Sequence, residues 1–158
     1  MESALPKGIK EFLSIMDDGS KPPLLGVLIL LLSAAYFALT ETSISSVSKN
    51  RLKASADRGD KGAKRVLAVL DSFDQAITTL LICTNIVHIA TAGIVTVYVT
   101  KKWGLSAVTI SPIVTTIVVF FFGEMLPKSI AKKYPEKIAT LCVQPLSFFM
   151  KLFKPASF

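Results

Sequence analysis

Glu124 stands at the deep end of an almost uncharged run, after Phe120, Phe121, Phe122 and Gly123 and before Met125, Leu126, Pro127 and Lys128. A carboxylate placed in hydrocarbon is costly unless it faces a protein interior, a water-filled cavity or a cation. Two more polar groupings interrupt apolar stretches. The first is the dense series Thr40, Glu41, Thr42, Ser43, Ser45 and Ser46, in which Thr40 and Ser43 share a helix face, as do Ser43 and Ser46. The second is Thr84, Asn85 and His88, with Thr84 and His88 four residues apart. One carboxylate, an amide oxygen, several hydroxyls and a carbonyl freed at a helix irregularity make a hard, oxygen-rich donor set. Such a set suits Mg²⁺, Ca²⁺ or Na⁺ better than zinc or copper, and cation transport is the chemistry it predicts.

Each of these groups also has a structural reading. Ser and Thr in membrane helices commonly bond to the preceding turn. Asn85 can serve helix association as well as an ion. Glu41 can pair with Lys128 or another basic residue, or cap a helix. His88 has no second histidine or suitably placed cysteine, which favours an interhelical hydrogen bond over zinc ligation. Lys128, four residues after Glu124, is expected at the cytoplasmic mouth, and Phe120 to Phe122 against lipid or neighbouring helices. Cys83 and Cys142 lie in separate apolar segments and read as small buried hydrophobes, with neither a disulfide framework nor a soft-metal site indicated.

The elements that must hold these groups are membrane helices. The chain of 158 residues is 51% hydrophobic and 18% charged, with a mean hydropathy of +0.56, a balance that fits soluble globular proteins poorly. Ala76 to Thr100 gives 25 residues without Asp, Glu, Lys or Arg, and Trp103 to Gly123 gives 21, each long enough to cross about 30 Å of hydrocarbon. A third candidate runs from Leu24 to Ser48. Ile138 to Met150 is 13 residues long and contains Pro145, so it reads as a short surface or re-entrant helix. Between the first two spans, Leu52, Ala56, Val66, Leu67, Val69 and Leu70 predict two short amphipathic helices separated by a turn at Arg58, Gly59 and Asp60. Asp71, Ser72, Phe73 and Asp74 read as a cap for the second span. Pro112 is expected to kink the third span, while Gly123 and Pro127 predict an irregular or ending helix around Glu124.

The fold expected is therefore all-α: three transmembrane helices with short amphipathic juxtamembrane helices. Small residues at Ala34, Ala35, Ala90, Ala92 and Gly93 permit close helix approach, and a homodimer is the economical assembly. Charge sets the expected orientation. The first connection, Lys49 to Ser72, carries seven basic and three acidic residues, and six lysines follow Glu124 against Glu136 alone. By the positive-inside rule both regions are cytoplasmic and the N-terminus is outside, in a multi-pass cell-membrane protein. The net charge of +7 is then explained by topology, which removes the case for nucleic acid as a partner. The first 23 residues, with Pro6, Asp17, Asp18, Pro22 and Pro23, lack the compact basic start of a cleavable signal peptide.

With these residues in place the sequence resembles the membrane domain of the CorC/CNNM magnesium transporter family, also described as the DUF21 transmembrane domain, from about Leu24 to Phe158. The family's Glu-Thr near the inner end of its first span is matched by Glu41 and Thr42, with Ser46 and Ser48 following. Its asparagine-bearing stretch looks like Ile82 to His88. The most specific match is the closing run Gly123, Glu124, Met125, Leu126, Pro127 and Lys128, joined by the basic connection Arg58 to Ala63. The resemblance implies a homodimer in the lipid bilayer with Mg²⁺ bound between the helices, Mg²⁺ export coupled to Na⁺ entry, and a juxtamembrane helical belt. Carried over by position, the ion site draws on Thr40, Ser43, Thr84, Asn85, Glu124 and the backbone carbonyl of Gly123.

Two departures bear on the ligand shell: His88 replaces a frequent second asparagine, and Ala38 replaces a frequent small hydroxyl residue. Residues 1–23 are expected to be an extracellular segment and residues 24–158 the membrane domain. The CBS pair that would sense ATP-Mg²⁺ in the family is expected to be absent. The resemblance and the residues also leave open a membrane-bound Mg²⁺ sensor that does not move the ion, and a structural anchor. No Ser-His-Asp order, phosphate-binding glycine loop or hydrolase signature points to an enzyme.

Overall fold

The computed structural model describes residues 24–156 together with Lys7. The segment expected to be extracellular otherwise lies outside the described residues. Three helices among those described are long and apolar enough to cross a membrane, with no strand between them.

The first, α1 (Leu24–Ser46), is built from a Leu- and Ile-rich run without proline, and carries its polar series in its last two turns. After two non-helical residues come α2 (Lys49–Asp57) and α3 (Lys61–Asp71), the expected amphipathic pair. Their turn is stitched by Asp60. Its Oδ1 accepts the Gly62 and Ala63 amides at 2.8 and 3.2 Å, and its Oδ2 accepts the Ser55 hydroxyl at 3.1 Å. Two of the amide donors that a helix N-terminus leaves without partners are thereby satisfied. The three bonds hold the Asp60 carboxyl below its usual titration range, the Ala63 amide contributing most.

The second span, α4 (Phe73–Trp103), has 31 residues and is about 46 Å long, so it projects beyond a 30 Å hydrocarbon layer or tilts within it. Ser72 occupies its N-cap position, but its side chain makes no cap bond; its carbonyl accepts the first helical bond from the Ala76 amide at 3.0 Å, and Asp74 lies in the first turn. At the far end Gly104 adopts φ 78° and ψ −173°, a conformation essentially restricted to glycine, and ends the helix. The uncharged run from Trp103 to Gly123 is consequently not one span. A short 3₁₀ turn (Leu105–Ala107) precedes α5 (Ser111–Val118), and the third crossing covers Ser111–Lys133. Pro112 lies in the first turn of α5, where its missing amide costs nothing, so it starts the helix and does not kink it.

α5 passes directly into a wide π-type turn (Val119–Met125), in which the Leu126 amide bonds to the Phe121 carbonyl five residues back. This is the irregularity expected around Glu124. α6 (Leu126–Lys133) completes the span, and α7 (Pro135–Leu152) is an 18-residue helix with Pro145 inside it. It is longer than the 13 residues expected and is not a fourth crossing candidate.

α1 is the hub, packing against α4, the π turn, α6 and α7, while α3 packs on α2 and α7. The shared core joins Ala34, Phe37 and Ile44 to Leu80, Cys83 and Val87 of α4 and to Ala139, Val143 and Leu146 of α7. Phe37 meets Phe149 edge-on at 5.4 Å, and the Tyr36 hydroxyl donates to the Cys142 carbonyl at 2.7 Å, fixing α7 to α1. Cys83 and Cys142 are free and buried, as the apolar settings predict.

Candidate cation site

Glu124 projects from the wide turn toward α4. Its Oε1 lies 3.4 Å from His88 Nε2, with the two side chains 24% and 29% exposed. The expected interhelical hydrogen bond of His88 is not formed. The separation exceeds the 2.7–3.2 Å usual for N–H···O, and Nε2 is buried without a hydrogen-bond partner. Thr84, one turn along the same helix, also has a buried hydroxyl oxygen with no partner. Unpaired polar atoms are rare in protein interiors, and two stand here on successive turns of one helix.

The wide turn itself has a local cause. Gly123 is buried, and a Cβ placed on it would sit 3.4 Å from Ala34 Cβ, Leu31 Cδ1 and Val119 Cγ1. Its φ is not positive, so glycine serves close approach to α1 and not backbone freedom. Pro127 has no amide hydrogen, which deprives the carbonyl four residues back, that of Gly123, of its α-helical donor. That carbonyl is the one the resemblance assigns as a ligand.

Depth along the helices orders the remaining residues. Gly123 lies at the level of Ala34, and Lys128 Nζ lies 3.8 Å from Glu41 Oε2, so α1 and the third span run parallel. Thr84 is four residues from His88 and so about 6 Å nearer the first connection. Thr40, between the levels set by Ala34 and Glu41, falls near this lower level, and Ser43 lies about 4.5 Å deeper along the same helix. Both are fully buried. The Thr40 hydroxyl donates to the Tyr36 carbonyl at 2.7 Å and the Ser43 hydroxyl to the Thr40 carbonyl at 3.0 Å. These are the back-bonds typical of hydroxyl residues in helices, and they leave each oxygen a lone pair for a cation. Glu41 and Lys128 form the ion pair that was one of the readings open for Glu41, between the levels of Thr40 and Ser43.

Asn85 departs from the group. It is exposed in this protomer, on an outward face of α4 shared with Leu81, Ile89 and Val97, Ile89 being 74% exposed. Phe120, Phe121 and Phe122 are about half exposed and face away from the bundle. Among the described residues no three His, Cys, Asp or Glu side chains gather in one place. Sequence spacing found Glu124 and His88 separately, but 35 intervening residues concealed that they face each other. Tyr36, which anchors α7 beside the Thr40 layer, carried no signal beyond being a polar-tipped aromatic.

Comparison with known proteins agrees with this architecture. A UPF0053 protein of Haemophilus influenzae is 33% identical over 129 residues, 82% of this chain and 31% of its own length. The UPF0053 inner membrane protein YfjD of Escherichia coli is 37% identical, over 74% of this chain and 28% of its own. A polyamine export protein of Haemophilus influenzae is 31% identical, over 84% and 34%. The chain thus spans about a third of the length of these curated relatives. The family profile described as the Cyclin M transmembrane N-terminal domain matches residues 25–158. With three crossing helices, the π turn around Glu124 and a match over that whole stretch, the chain belongs to the Cyclin M transmembrane domain family of multi-pass membrane proteins.

Proposed function

We propose that this membrane domain transports Mg²⁺, exporting it in exchange for Na⁺, with Glu124 as the charged ligand. The observation that carries the reading is a three-quarters-buried carboxylate facing the unpartnered Nε2 of His88 on α4, with the unpartnered Thr84 hydroxyl one turn away, inside a membrane span. A negative group in such a place calls for a positive occupant. Mg²⁺ prefers six oxygens at about 2.1 Å and gives up water reluctantly. Glu124 and the Gly123 carbonyl would supply part of that shell and retained water the rest, while the hydroxyls of Thr84, Thr40 and Ser43, one turn or more nearer the first connection, would receive the ion along its path. The hydroxyl layer also suits Na⁺, which is the basis for the exchange.

The domain works as a homodimer through the outward face of α4. Asn85 in hydrocarbon is expensive without a partner, and Gly93 on that helix has open space beside it for a second helix. Asn85 then contributes from the dimer interface. The basic first connection and C-terminal part face the cytoplasm and the N-terminus lies outside, following the charge distribution. The domain catalyses no covalent reaction.

The test is flux in proteoliposomes, with and without an opposing Na⁺ gradient, using Glu124→Ala as the control. Gradient-dependent Mg²⁺ flux lost in the variant supports the reading. Glu124-dependent binding without flux would make the domain a sensor. A relative bears the name polyamine export protein, so spermidine belongs in the same assay. Spermidine flux in place of Mg²⁺ would refute the assignment of the cargo.

A further inference from the structure

Glu124 and His88 are placed as two ligands of one ion are placed. Ligands about 2.1 Å from a shared metal, at angles between square and tetrahedral, lie about 3.0–3.4 Å apart. Oε1 and Nε2 are 3.4 Å apart, too far for a good hydrogen bond and within about 0.4 Å of the spacing of adjacent octahedral ligands on a shared cation. Nε2 is buried and has no other partner, so its lone pair or proton is spent on nothing else in the protomer. The Thr84 hydroxyl oxygen, one turn away, is equally uncommitted.

We infer that His88 is a specificity-determining residue of the cation site, adding an imidazole nitrogen to an otherwise oxygen shell and shifting its preference from Mg²⁺ toward borderline divalent ions such as Mn²⁺ and Co²⁺. This rests on the cation-site reading of Glu124 and refines which ion it takes. Mg²⁺ is hard and gains little from nitrogen over oxygen, whereas imidazole suits the first-row transition ions. A neutral nitrogen beside one carboxylate keeps the site's charge unchanged, so the discrimination arises from donor type and not from electrostatics. Glu124 supplies the attraction common to every divalent ion. His88 decides among them. The seat is fixed by packing: α4 is held against α1 through Leu80, Cys83 and Val87, the last of them adjacent to His88.

The experiment titrates the purified chain in detergent with Mn²⁺, followed by the loss of the free-ion electron paramagnetic resonance signal, and then competes with Mg²⁺. The wild type is expected to prefer Mn²⁺ over Mg²⁺ by about tenfold or more, and His88→Asn, which restores an oxygen donor of similar size, to lose most of that preference while still binding Mg²⁺. The pulsed spectrum of bound Mn²⁺ in the wild type, which requires no variant, is expected to carry the modulation of a directly coordinated imidazole nitrogen. Absence of that modulation, or an unchanged Mn²⁺ to Mg²⁺ ratio in His88→Asn, overturns the role of His88. Glu124→Gln separates the two levels. If it binds Mn²⁺ as well as the wild type does, the cation site itself is misplaced and both readings fall. If binding depends on Glu124 but no nitrogen is coupled, only the specificity role fails.

Discussion

Gly123→Val is the perturbation whose outcome the geometry determines most directly. A Cβ at position 123 would already stand 3.4 Å from Ala34 Cβ, Leu31 Cδ1 and Val119 Cγ1, the near edge of ordinary contact. Gly123→Ala is accordingly expected to be close to neutral, since the gain of about 0.5–1 kcal/mol from replacing a helical glycine is offset by slight crowding. Valine adds two methyl groups about 1.5 Å beyond Cβ, which at least one neighbour must vacate. Restoring contacts of 3.5–4 Å then requires α1 to retreat by about 1.5 Å, and overpacking of this kind costs about 1–3 kcal/mol. The retreat also draws Thr40 and Ser43 away from Glu124. Thermal unfolding in detergent and Mg²⁺ binding by calorimetry read the two effects separately. The expected series is near-wild-type behaviour for alanine, and a lowered melting temperature with weakened binding for valine. A valine variant that melts and binds like the wild type would show that α1 does not press on the wide turn, and the layered site would have to be abandoned.

The ion pair between Lys128 and Glu41, 3.8 Å long and partly exposed, should give a coupling of about 0.5–1 kcal/mol in a double-mutant cycle of Lys128→Met and Glu41→Gln, read by thermal unfolding. Gly104→Ala forces a side chain into a glycine conformation and should cost about 1–3 kcal/mol in the same assay, without altering ion binding. Asp60 has its carboxyl held below the ordinary range in the folded state, so its contribution to the α2–α3 turn is complete above the unfolded value and is lost as pH falls through the lower folded value. Hydrogen exchange at Gly62 and Ala63, corrected for its intrinsic pH dependence, should show reduced protection at acid pH, and Asp60→Ala should show the same loss at neutral pH.

The three crossings, the short helical pair and the irregularity at Glu124 were all legible in the sequence because each has a local cause. Long uncharged runs, Gly59 and Asp60 at a turn, and the pairing of Gly123 with Pro127 act within a few residues of themselves. Boundaries were less legible where two local signals competed. The uncharged run from Trp103 to Gly123 had the length of a span, yet Gly104 broke it at its start, and the third crossing lies eight residues or more further toward the C-terminus. Pro112 read as a kink because its position within the helix depends on where that helix begins. Lateral relations were hidden altogether. Nothing in the spacing of Asn85 and His88 tells that one turns outward and the other meets Glu124, because that depends on which face of α4 the hub helix covers.

The wide turn carries one more residue than an α-helix would need to cover the same rise, and each residue of an α-helix corresponds to about 100° of rotation. A surplus residue is therefore stored rotation. Were the bulge to pass one turn along the span, side chains between its old and new places would swing by about that angle about the helix axis, while the ends of the span kept their positions. Few backbone bonds would be exchanged, since a π turn replaces them with longer-range ones. Glu124 lies within the bulge, so such a passage would turn its side chain away from His88.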